Sequence, residues 1–78
     1  MEIYERIKRN KRNVRPKELV ELLIAFGYEY RNTRGDHEIY KRAGCRRFPV
    51  PISQNPISII IIQNALRAIE EIIEDQEI

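Results

Sequence analysis

His37 is the only histidine in the chain, and an imidazole with an ordinary pKa of about 6.5 can exchange a proton at neutral pH. It follows Arg34, Gly35 and Asp36, a turn-forming cluster, and opens a segment that ends in Tyr40, Lys41 and Arg42. The ring is therefore expected at the end of a strand, among cations. Cleavage of RNA needs few other parts: a base to take the 2′-hydroxyl proton, and positive charge or hydrogen-bond donors to stabilise the pentavalent phosphate. The residues expected to contact RNA are Arg34, Lys41, Arg42, Arg46 and Arg47, with Gly35 in the turn between them. The plainer reading makes His37 a solvated surface residue and the cations a solvated sheet edge.

Other chemistries fit less well. One histidine and one cysteine, eight positions apart, do not make a zinc set, and no metal site is expected. Glu70, Glu71, Glu74 and Asp75 read as a solvated helix face. Gly27, Gly35 and Gly44 are each explained by a turn or a cap rather than a phosphate cradle. Cys45 sits in a turn beside Arg46 with no histidine nearby in sequence, a poor setting for a nucleophile. A chain of 78 residues makes one domain and cannot enclose a large cofactor, so none is expected and the substrate should bind at the surface.

The net charge of +2 hides an asymmetry. Met1 to Val50 holds 13 Lys/Arg against 7 Asp/Glu, a net +6, whereas Pro51 to Ile78 holds one against five, a net −4. A basic front and an acidic tail suggest a polyanion partner on one side. The longest apolar stretch, Ile57 to Ile62, is far short of the roughly 20 residues that cross a bilayer. With a lone cysteine and no secretory h-region, the expectation is a soluble, cytoplasmic protein without a membrane partner.

The elements that must position His37 follow from periodicity. Residues 1–14 read as a basic N-terminal arm containing a short helix, and residues 15–78 as a single domain. Pro16 suits a first helical turn. Leu19, Leu22, Leu23 and Phe26 then recur at helical spacing until Gly27 offers a left-handed stop. Beyond Gly27 the period shortens to two: Tyr28 and Tyr30 alternate with Glu29 and Arg31, and a second strand runs from His37 to Lys41. A third, from Arg46 to Ile52, carries Pro49 and Pro51 and belongs at an edge. Asn55 and Pro56 read as the N-cap and first residue of a closing helix, although Ile59 to Ile62 would equally suit a strand. Isoleucine covers more of that helix than one core can bury. The surplus favours a protein partner or a homodimer, or else the N-terminal arm folds back over it. The fold class is thus α+β: helix, three-stranded antiparallel sheet, helix, with both helices on one face.

From Pro16 to about Pro51, in "KELVELLIAFGYEY", "RNTRGDHEIYKR" and "FPVP", the chain resembles the HicA family of toxin ribonucleases. The family's mark is a Gly-Ser-His or Gly-Asp-His turn entering the second strand, matched here by Gly35, Asp36 and His37. "NALRAIEEI" in the closing helix is similar to a further family segment, and residues 1–14 extend the usual start. The resemblance implies a fold like a double-stranded-RNA-binding domain, a catalytic histidine at position 37, cleavage of messenger RNA, and inhibition by a HicB-like antitoxin. The leading expectation is therefore a metal-independent endoribonuclease, the mRNA interferase of a type II toxin–antitoxin pair. The alternatives are a non-catalytic RNA-binding module of the same fold, in which His37 merely contacts the RNA, and a protein-interaction domain with no role for RNA.

Overall fold

The computed structural model describes residues 2–76. Its elements run α1 (Glu2–Arg9), α2 (Pro16–Ala25), β1 (Glu29–Arg34), β2 (His37–Lys41), β3 (Phe48–Pro51) and α3 (Ile59–Gln76). The three strands form one antiparallel sheet in the order β1-β2-β3. The class is α+β.

Helix α2 begins as expected. Pro16 occupies its first turn, and the Glu18 carboxylate accepts a hydrogen bond from the Arg15 backbone N–H at 3.0 Å, half of a capping box. It ends in a Schellman motif: Tyr28 N–H donates to the Leu23 carbonyl and Gly27 N–H to that of Ile24, both at 3.0 Å. Gly27 has φ +91°, and a Cβ there would lie 3.2 Å from Arg42 Nε, so both conformation and space favour glycine. Leu19, Leu22 and Leu23 are fully buried.

Residues 2–14, read from sequence as a basic arm, place Ile3, Tyr4, Ile7 and Val14 in the same core as α2, α3 and the sheet. Acidic Glu2 and Glu5 lie in the first turn of α1 and Arg6, Lys8 and Arg9 in its last, matching the helix dipole. The arm does fold back on α3: Tyr4 Oη donates to Glu70 at 3.0 Å, with Lys8 Nζ 4.0 Å from the same carboxylate. That contact occupies part of the helix face for which the sequence suggested a partner. Ile60, at 66% exposure, stays uncovered.

The start of α3 differs from the sequence expectation. Asn55 and Pro56 lie before the helix, which opens at Ile59. Ile57 is drawn into the core, its N–H donating to Val14 O at 2.8 Å, and this tether holds the chain out of helical geometry until Ser58. Ser58 is the cap, its Oγ accepting from Ile60 N–H at 3.3 Å. Ile59 to Ile62 are helical, which resolves their ambiguity. Among the described residues, no helix is long and apolar enough to cross a membrane.

Register sets the faces of the sheet, because paired residues share a side. Tyr30, Tyr40 and Phe48 line up, as do Thr33, Glu38 and Val50, and from this face Tyr40 and Val50 enter the helical core. Arg34, His37 and Pro51 line up on the other face, followed by Asn32, Ile39 and Pro49. Pro49 and Pro51 lie on an edge strand, as two missing ladder donors require.

Candidate active site

The β1–β2 turn consists of Gly35 and Asp36. Gly35 has φ +55° and Asp36 is not in the positive-φ region, the pattern of a type II′ hairpin whose first central position calls for glycine. Asp36 fixes the turn from a distance. Its carbonyl accepts from Ile52 N–H at 2.8 Å, and Oδ2 accepts from the Ser53 hydroxyl at 3.1 Å. His37, the next residue, thus has a backbone held from two sides and an exposed side chain between Arg34 and Pro51.

A cleft of about 990 Å³ opens along the free side of β3. Phe48 and Pro49, whose side chains leave that strand on opposite faces, both line it. His37 lies on this cleft. The β2–β3 loop contributes Arg42, Arg46 and Arg47, and α3 contributes Arg67, Glu71 and Asp75. Of the residues that the sequence groups with His37, Arg42, Arg46 and Arg47 line this cavity with it, whereas Lys41 and the turn residue Gly35 do not. Arg34 pairs across the hairpin with His37 without lining the cleft.

The cations differ in what they already hold. Arg42 Nε donates to the Phe26 carbonyl at 2.9 Å, closing the C-terminal end of α2, and its Nη1 lies 3.5 Å from Cys45 Sγ. Lys41 Nζ donates to the Cys45 carbonyl. These two side chains shape the β2–β3 loop. Arg34, Arg46, Arg47 and Arg67 are exposed, and among the described residues none has a carboxylate at ion-pair distance.

Arg67, Glu71 and Asp75 were missed because their place depends on which side of α3 turns to the loop. The available signal was a second stripe, Ile61, Asn64, Ala68, Glu71 and Asp75, at helical spacing beside the core stripe of Ile62, Ala65, Leu66, Ile69 and Ile72. At the same end of the cleft, burial first, and then the neighbouring Cys45, push the Tyr28 hydroxyl above its ordinary pKa, so it stays a neutral donor. Tyr40 is pushed up to about 12, mainly by burial and then by its 3.0 Å hydrogen bond to Glu38. Among the described residues, no group of three or more His, Cys, Asp or Glu side chains converges as metal ligands would. Comparison with protein-family models, with curated proteins and with solved structures finds no match.

Proposed function

We propose that the chain is a metal-independent endoribonuclease, the mRNA interferase toxin of a type II toxin–antitoxin pair, with His37 as general base. The observation that carries this reading is the single cleft shared by His37, Arg46, Arg47 and Arg67. An exposed imidazole there can take the 2′-hydroxyl proton, while unpaired guanidinium groups hold the phosphate that gains charge in the transition state. The Gly35-Asp36-His37 turn and the order of elements, α2-β1-β2-β3-α3, support the likeness to HicA ribonucleases and to the double-stranded-RNA-binding fold. On this reading the protein works in the cytoplasm on messenger RNA and is silenced by a HicB-like antitoxin.

One observation favours a second reading, a non-catalytic RNA-binding module: among the described residues, no side chain hydrogen-bonds His37 to fix its tautomer. Turnover separates the two. Purified protein incubated with RNA in EDTA should yield fragments ending in a 2′,3′-cyclic phosphate or its hydrolysis product. Retardation of RNA without any cleavage would instead establish the binding module.

A further inference from the structure

The cleft is longer than one nucleotide and its walls differ in charge. Along the sheet it runs from His37 at the start of β2 to Arg42 just beyond its end, on the order of 16 Å at the usual rise of a strand. Along α3 it runs from Ile61 to Asp75, roughly 21 Å at the helical rise. Glu71 lies at the end far from His37, where it faces Tyr28 and the Arg42–Cys45 loop.

The loop wall offers Arg46 and Arg47. The helix wall offers Arg67 and Asn64 and then, toward the far end, Glu71 and Asp75. A duplex would turn a second row of phosphates onto those carboxylates and be repelled. A single strand has one phosphate edge and one base edge, and can lay the first on the arginines and the second on the helix. Among the four RNA bases, guanine presents two adjacent donors, N1–H and the 2-amino group, in the geometry a carboxylate accepts bidentately.

Building on the ribonuclease reading, we propose that this cleft takes a single RNA strand and that Glu71 and Asp75 read a guanine at a fixed offset from the scissile phosphate. This adds a sequence preference that the fold alone would not supply.

The test measures binding separately from cleavage. His37→Ala protein, slowed roughly 10²- to 10⁴-fold in turnover by loss of the base, is titrated by fluorescence anisotropy with a short uridine strand carrying one guanine, with the all-uridine strand, and with a duplex of the same length. The guanine strand should bind about 5- to 150-fold more tightly than all-uridine, the range for one bidentate pair, and more tightly than the duplex. Glu71→Gln with Asp75→Asn, isosteric changes at two exposed helix positions that leave the core untouched, should abolish that preference. Equal binding of both strands, or a preference that survives the double substitution, overturns base reading and leaves the ribonuclease reading standing. A guanine preference in a protein whose wild type cleaves nothing would retain base reading and remove the nuclease. Failure to bind any RNA would remove both.

Discussion

Charged side chains serve different ends on the two sides of this molecule. Around α1 they are paired: Arg6 lies 3.7 Å from Glu18 and 3.6 Å from Glu21, and Lys8 and Tyr4 both reach Glu70. Along the cleft, Arg46, Arg47 and Arg67 stand exposed, although Glu71 and Asp75 line the same cavity. Exposed ion pairs contribute little, so the α1 side is held chiefly by Ile3, Tyr4, Ile7 and Val14 beneath them. The unpaired charges of the cleft contribute nothing comparable to folding and remain free for an anionic ligand. Substitutions in one region should therefore change stability, and in the other, binding.

The largest expected stability effect is at Ile7, which is 2% exposed. Ile7→Ala should cost about 2–5 kcal/mol in urea unfolding; a loss well under 1 kcal/mol would return residues 1–14 to the status of a loosely attached arm. Next comes the combined change of Arg46, Arg47 and Arg67 to glutamine. It should leave the unfolding midpoint nearly unchanged, weaken RNA binding, and lower the log–log salt slope by about 2, at roughly 0.7 per phosphate contact on a single strand. Neutralising Lys8, Arg9, Lys11 and Arg12 is the matched control. A larger change in slope there than in the cleft would reverse the comparison.

The smallest effect is alkaline. Tyr40 has its pKa raised from 10.0 to about 12 in the folded protein, so the unfolded chain loses its proton first. The corresponding stability is fully present below pH 10 and lost as pH climbs toward 12. Tyr40→Phe should flatten stability over that window in pH-dependent unfolding. An unchanged profile would show that the Glu38 contact and burial do not perturb this phenol.

Much of this could be read from local signals. The α2 stripe with its Gly27 stop, the Gly35-Asp36 turn and the proline-marked edge strand each depend on neighbours a few positions apart, and each lies where periodicity put it. The start of α3 does not, because Asn55-Pro56 carries the chemistry of a helix opening while a tertiary hydrogen bond from Ile57 to Val14 delays it. The role of α1 was half legible: the fold-back over the closing helix stood as one of two readings, but only three of its eight residues are buried, and they pack both on α2, where Tyr4 meets Phe26, and toward α3, where Tyr4 reaches Glu70. In the candidate site, His37 and the loop arginines were legible by type and proximity. Arg67, Glu71 and Asp75 were not, since a helix surface acquires meaning only when its facing element is known.

The most direct measurement is the single-turnover cleavage rate of one RNA by wild-type and His37→Ala protein, with RNA affinity and urea unfolding recorded on the same preparations. Removal of a general base should lower the rate roughly 10²- to 10⁴-fold, with affinity and stability little changed because the side chain is exposed. Full cleavage by pure, folded His37→Ala protein would contradict the assignment of His37 as the base.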